Sequence, residues 1–338
     1  MSLMLQETRE TPGLVQAALA LDVARYDGLG RRLRARPPGF VATIARGSSD
    51  HAALYAAGLI ATRAGHATAS LQPSWITRYG ARIDLSGALV LAISQSGASP
   101  DLVEALRAAR GAGGLTVALV NDTESALARE AEWVLPQRAG PEQAVAATKS
   151  FILSLVALAR LVAAWTEDTL VAAALAALPE RLVAALGCDW SAGLEGFGAG
   201  AFVVARGPAL AIAHEAALKL KETCYIHAEA LSAAEIRHGP FAVLEDGFPV
   251  LGFALEDAGG ADTLTLAGPM TEAGARVLMA SPGACEGGLH LPLPPPLHPM
   301  LDPIVAITAF YPFAEALARG RGVDPDQPRH LRKVTQTT

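Results

Sequence analysis

Cysteine is scarce: Cys188, Cys224 and Cys285 are the whole complement of a 338-residue chain, odd in number and widely spaced. They cannot staple a small oxidised scaffold and instead suit a reducing compartment, so a cytoplasmic protein is expected. Charged residues are few, at 18%, against 51% hydrophobic, which excludes a disordered or coiled-coil chain. Basic clusters are missing apart from Arg31, Arg32, Arg34 and Arg36, and the net charge is −6. That run precedes Pro37-Pro38 and reads as a solvated helix end, so nucleic acid is not an expected partner. No stretch approaches the ~20 continuous apolar residues of a membrane span. The longest run, Phe151 to Trp165, is broken by Ser154 and Arg160 and is expected to be a buried helix. Met1-Ser2-Leu3 lacks the order of a signal peptide, and no membrane association is expected.

The length suits about two domains of ~150 residues. Residues 12–34 carry apolar positions at helical spacing behind Pro12 and predict one helix. Phe40–Ala45, Ala88–Ile93, Leu115–Val120 and Trp133–Leu135 read as strands, with 67–71 as another. Helices are expected at 50–63 and after Pro100. Strands alternating with helices predict a parallel sheet covered on both sides. Two Ala/Leu-rich segments, 143–165 and 168–186, look like a helical bridge. The pattern then restarts: Phe202–Ala205 leads into a helix running through Glu222, and Pro249–Ala254 reads as another buried strand. A Pro-rich connector, 291–299, precedes a last helix at 303–319.

Val41-Ala42-Thr43-Ile44-Ala45-Arg46-Gly47 resembles Ala201-Phe202-Val203-Val204-Ala205-Arg206-Gly207, which indicates an internal repeat. The expected fold is α/β: two flavodoxin-like, doubly wound parallel-sheet lobes, each three-layered, joined by long helices. The expected division is a helical arm (1–38), a first lobe (39–165), a linking helix (166–189), a second lobe (190–320) and a tail closing over the site (321–338).

Ser94-Gln95-Ser96-Gly97-Ala98-Ser99 joins a buried strand to a helix N-terminus, where converging amides and the helix dipole favour an anion. Neither a P-loop nor Gly-x-Gly-x-x-Gly is present, which disfavours nucleotides. The bland alternative is a serine-rich turn with Ser99 as N-cap. Gly47-Ser48-Ser49 has the same construction after the first strand. With strand order 2-1-3-4-5 both loops flank the topological switch point. Hydroxyls and amides without cationic side chains suit a phosphate monoester. The second lobe has Leu255-Glu256-Asp257-Ala258 at the equivalent place. Glu215, Lys219 and Glu222 share one helix face, either as a surface salt-bridge ladder or as a carboxylate held beside an ammonium for proton transfer. His227, Glu229, Glu235 and His238 form a polar cluster without metal-ligand spacing, so no metal and no cofactor are expected. His238, opening a turn, could act as acid or base on a sugar ring, or be merely solvated. Lys333 could supply an amine to a sugar carbonyl if the tail is ordered.

These stretches, with Val145-Ala146-Ala147-Thr148-Lys149, Tyr225-Ile226-His227-Ala228-Glu229, His238-Gly239-Pro240 and Asp326-Gln327-Pro328-Arg329, resemble the sugar isomerase (SIS) domain family. The likeness is closest to the isomerase half of the glutamine–fructose-6-phosphate amidotransferases and covers nearly the whole chain. It implies that Gly47, Ser48, Ser49, Ser94, Gln95, Ser96 and Ser99 hold the phosphate and nearby hydroxyls of a hexose or hexosamine 6-phosphate, and that Ala147 and Thr148 line the sugar. It implies Glu222 as the base between C1 and C2, Lys219 as support for the carbonyl oxygen, and Lys333 as the Schiff-base lysine. It further implies a homodimer in which His238 opens the ring from across the interface. Met1-Ser2 stands where that family begins a glutaminase domain, so a stand-alone glucosamine-6-phosphate deaminase is the leading expectation. A plain phosphosugar isomerase, a glutaminase-less aminotransferase-like isomerase and a non-catalytic sugar-phosphate sensor are the alternatives. Arg46 and Ser49-Asp50-His51 depart from the family pattern.

Overall fold

The computed structural model describes residues 1–333. The chain opens with α1 (Leu3–Ala20) and α2 (Val23–Ala35), where one helix was expected over 12–34. The break has a local cause. Asp22 adopts the left-handed conformation at φ 58°, and Arg160 donates to the carbonyls of Ala18 and Leu21 that end α1. Pro12 lies inside α1 rather than at its start.

The first sheet is built from β1 (Val41–Ile44), β2 (Thr68–Ser70), β3 (Leu89–Ser94), β4 (Leu115–Val120) and β5 (Trp133–Pro136). Between them lie α3 (Ser48–Leu59), extended by a π turn to Ala64, then α4 (Pro73–Thr77), α5 (Pro100–Gly111) and α6 (Ala126–Glu130). All pairings are parallel in the order β2-β1-β3-β4-β5. β1 and β3 are buried at every position, which is why their sequences, apart from Thr43 and the terminal Ser94, are apolar throughout rather than alternating.

Two 18-residue helices follow, α7 (Lys149–Thr166) and α8 (Thr169–Leu186). The expected helix start near 143 is a loop instead, because Glu7 takes the backbone N–H groups of Gln143 and Ala144. Contrary to the expectation that no segment is span-like, both helices are long and apolar enough to cross a membrane. However, α7 is 83% buried and is a core helix, as expected for the 151–165 run. α8 is 28% buried, with Leu170 and Val183 exposed.

The second sheet comprises β6 (Gly200–Ala205), β7 (His227–Ser232), β8 (Pro249–Phe253), β9 (Arg276–Ser281) and β10 (Leu289–Pro292). Its helices are α9 (Leu210–Cys224), α10 (Ala258–Leu264), α11 (Ala267–Glu272) and α12 (Asp302–Gly320). The order β10-β9-β8-β6-β7 is again 2-1-3-4-5 counted within the lobe, so the short sequence repeat marks a repeated topology. β10 occupies part of the expected proline-rich connector; as an edge strand it tolerates proline.

The chain divides into two units. One holds the first sheet: residues 13–142, 149–176 and 332–333. The other holds the second sheet: residues 1–12, 143–148 and 177–331. Each has its own apolar core, around Val90, Leu106 and Val120 in the first and around Val204, Val250 and Met279 in the second.

Candidate active site

In the first-sheet unit, the parallel register sets Ile44 of β1 beside Ala92 of β3, so the segments that leave these strands emerge side by side. The first is Arg46-Gly47-Ser48-Ser49. Gly47 has φ 54° and ψ −133°, a conformation denied to residues with a Cβ, and it turns the chain into α3. The second is 94–99. Gly97 has φ 59°, and a Cβ there would lie 2.2 Å from Ser125 Oγ, so only glycine fits. The Gly97 N–H donates to Ser94 Oγ at 3.1 Å, and the Ala98 N–H to Ser96 Oγ at 3.3 Å. Ser99 occupies the N-cap position of α5, yet its hydroxyl makes no capping hydrogen bond. The bland N-cap reading therefore does not account for this hydroxyl.

Thus Gly47, Ser48, Ser49, Ser94, Gln95, Ser96 and Ser99 share one edge of one sheet, at its switch point. One expectation for this edge is corrected: it is not free of cationic side chains. Arg46 sits between the loops, with its NH2 3.2 Å from Asp101 Oδ2 and its NH1 3.3 Å from Gln72 Oε1. Burial raises the Asp50 carboxyl nearby, against the opposing charges of His51 and Arg46.

Glu142 was missed by sequence reasoning. Its carboxylate is wholly buried and accepts the Ser150 N–H at 3.0 Å, the Ser150 hydroxyl at 2.7 Å and Lys333 Nζ at 2.7 Å. Lys333 is therefore ordered, and its ammonium is already engaged. Gln137, just past β5, is also buried, and both its amide atoms lack a partner.

In the second-sheet unit, the ladder on α9 is not a surface feature. Glu215 and Lys219 have side chains 0% and 1% exposed, 3.4 Å apart, and Lys219 also pairs with Glu222, which is 21% exposed. Burial alone would lower the Lys219 pKa; the carboxylates of Glu215 and Glu222 outweigh it and raise the value above that of ordinary lysine. The two carboxylates thus favour the charged form of Lys219. Glu222 lines a cavity of about 470 Å³ together with Tyr225, His227, Arg329 and His330. Tyr225 closes α9 at φ 55° and straps the tail down: its ring lies 4.1 Å beneath the Arg329 guanidinium, and its hydroxyl accepts the Arg329 N–H at 2.9 Å.

His238 is exposed on a turn and is not among the residues lining the Glu222 cavity. His227 and Glu229 project from the edge strand β7. Ala147 is half-buried and Thr148 buried, both in the segment preceding α7. At the loop equivalent to 94–99, Asp257 Oδ1 accepts the Gly260 N–H at 2.6 Å, so a carboxylate of the protein itself fills the anion position at α10. The two loops have diverged as their sequences indicated. Among the described residues no three His, Cys, Asp or Glu side chains are grouped to hold a metal ion.

Two repeated 2-1-3-4-5 parallel sheets, one with paired serine-bearing turns at its switch point, define a double-lobed α/β protein. The SIS domain family model matches residues 39–164 and 200–278, more than half of the chain. The chain belongs to the SIS domain family. A glutamine–fructose-6-phosphate aminotransferase [isomerizing] from Symbiobacterium thermophilum is 34% identical over 98% of this chain and 58% of its own length. This chain therefore spans a little over half of that relative. A crystal structure of a "putative phosphosugar isomerase" from Silicibacter pomeroyi is 43% identical, with a TM-score of 0.92 over 96% of this chain and 100% of that one. The C-terminal domain of glucosamine-fructose-6-phosphate aminotransferase from Francisella tularensis is 26% identical, with a TM-score of 0.87 over 97% and 98% of the two chains.

Proposed function

We propose that this enzyme is an isomerising glucosamine-6-phosphate deaminase, converting glucosamine 6-phosphate and water to fructose 6-phosphate and ammonia. The observation that carries the reading is the α9 triad: a carboxylate, Glu222, bordering a cavity on one side and paired with the buried Lys219 on the other. A carboxylate so placed borders the space a sugar would occupy, where a general base can move a proton between neighbouring carbons.

The corners at Gly47–Ser49 and Ser94–Ser99 hold the phosphate, and Ala147 and Thr148 border the sugar. His238 assists ring opening. Glu222 takes the proton from C2 of the open aldehyde and delivers it to C1, which leaves a ketimine at C2. Lys219 supports the oxygen at C1 as charge develops there. Water adds to the ketimine, the C2–N bond breaks, and ammonia leaves. These are proton transfers and a hydrolysis, with no redox cofactor. In this proposal the enzyme works in the cytoplasm as a homodimer, with His238 serving the partner's site. Its exposure and its place outside the Glu222 cavity are consistent with that role.

A plain aldose–ketose isomerase is the second reading. It is favoured by the engagement of Lys333 with Glu142, which occupies the amine that the family resemblance offers for imine chemistry. An ammonia-coupled assay on glucosamine 6-phosphate decides between the two. Ammonia release with stoichiometric fructose 6-phosphate supports the deaminase; fructose 6-phosphate to glucose 6-phosphate conversion without ammonia supports the isomerase. Binding without turnover of either sugar defeats both.

A further inference from the structure

The serine corner of the first sheet contains a charge that works against its proposed ligand. Asp101 is the second residue of α5, two positions after Ser99, and is 4% exposed. A carboxylate in the first turn of a helix is favoured by the helix dipole. At a phosphate-binding N-terminus, however, it opposes the incoming dianion, at short range and partly shielded from water. The equivalent loop of the second sheet, where Asp257 caps α10 directly, illustrates a helix N-terminus in which the acid has taken the anion's place.

Asp101 does not cap α5. Its Oδ2 is turned to Arg46 at 3.2 Å, and its Oδ1 accepts the Leu102 N–H at 2.9 Å. Among the described residues Arg46 is the one cation paired with it. Arg46 leaves β1 directly before Gly47 and is also held by Gln72, past the end of β2. One side chain thus joins three neighbouring corners at the ligand end of the sheet. With Arg46 in place the Asp101 charge at the start of α5 is balanced.

We infer that Arg46 is a positioning residue of the phosphate corner, which neutralises Asp101 so that the corner accepts a doubly charged ester. The inference rests on the proposed phosphate role of the 47–49 and 94–99 segments, but not on deaminase chemistry. It acts through Asp101, so it differs from direct contact between Arg46 and the ester.

The test is a charge cycle read with two probes: KM for glucosamine 6-phosphate, and thermal stabilisation by inorganic phosphate, which needs no turnover. Arg46→Gln should weaken both by about 10-fold or more, as expected for one uncompensated charge near a dianion. It should change kcat less than KM. Asp101→Asn alone should bind phosphate at least as well as wild type. Arg46→Gln with Asp101→Asn should return both readouts to within a few-fold of wild type. Arg46→Lys, which keeps the charge, should also stay within a few-fold and excludes a mere folding defect. A double variant as weak as Arg46→Gln overturns the inference and indicates direct contact with the ester; an unaffected Arg46→Gln overturns it outright. Wild type that binds phosphate but releases no ammonia defeats the deaminase reading alone. Wild type that binds neither phosphate nor sugar phosphate defeats both.

Discussion

Lys333 Nζ lies 2.7 Å from Oε2 of Glu142, a carboxylate with no solvent exposure that Ser150 grips through its amide and its hydroxyl. A buried carboxylate with two donors from the start of α7 is a fixed socket, and the lysine near the chain end fills it. The amine is thereby held in place.

This socket has a pH signature. Burial would raise the Glu142 pKa, but the Lys333 charge and the Ser150 hydrogen bonds outweigh it and hold the carboxyl below the usual 4.5. A depressed folded value adds stability that is complete above pH 4.5 and is lost as pH falls through the lowered value. Lys333→Ala should cost about 2 kcal/mol near neutrality, less than the about 3–5 kcal/mol of a fully buried pair, because the lysine is partly solvated. The difference between wild type and variant should shrink in that acid window. Thermal unfolding of both proteins across the acid range measures it; a gap that stays constant on acidification contradicts the assignment.

Turnover should depend on Glu222 more steeply than binding does. Glu222→Gln is expected to lower kcat by roughly 10²- to 10⁴-fold, the usual contribution of a general base, while sugar-phosphate affinity stays within a few-fold. Ser96→Ala should do the opposite, raising KM with kcat little changed. Steady-state kinetics of the two variants side by side tests the pair, and an active Glu222→Gln removes the base.

The α9 triad is also a structural commitment. Lys219→Met removes the cation 3.4 Å from the buried Glu215 and beside Glu222, and should destabilise the protein by about 3–5 kcal/mol in urea denaturation. Adding Glu215→Gln should recover a good part of that loss. If Lys219→Met is as stable as wild type, the triad does not have the buried ion pairs described.

Gly97 tests the serine corner through its backbone. Alanine there combines φ 59° with a Cβ 2.2 Å from Ser125 Oγ. Gly97→Ala should cost about 1–3 kcal/mol for the strained backbone and raise KM. Ser125→Ala would relieve the contact but not the conformation, so the double variant should recover only in part. Full recovery would show that crowding, rather than φ, is the constraint.

Much of the architecture was legible because parallel strands covered on both faces must be unbroken apolar runs. β1, β3, β4, β6 and β8 announce themselves in that way. The serine corners were legible for a related reason: small residues and glycine directly after such runs can only be turns at the sheet's ligand end. Elements at the margins were harder to read. β7 alternates exposed and buried positions along an edge and passed for a polar cluster, and β10 is four residues containing a proline. The interruption at Asp22 depends on Arg160, 138 positions later in the chain.

The charge pairings divide in the same way. Glu215, Lys219 and Glu222 are one helical face apart, so their spacing alone brings them together, and only their burial had to await the fold. Arg46 with Asp101, and Glu142 with Lys333, are 55 and 191 positions apart. Local sequence sets backbone conformation and hydrophobic periodicity through short-range sterics and burial, and it determined the lobes, their corners and the family. Which distant charges meet depends on strand order and chain reversal, and only the tertiary structure decided that.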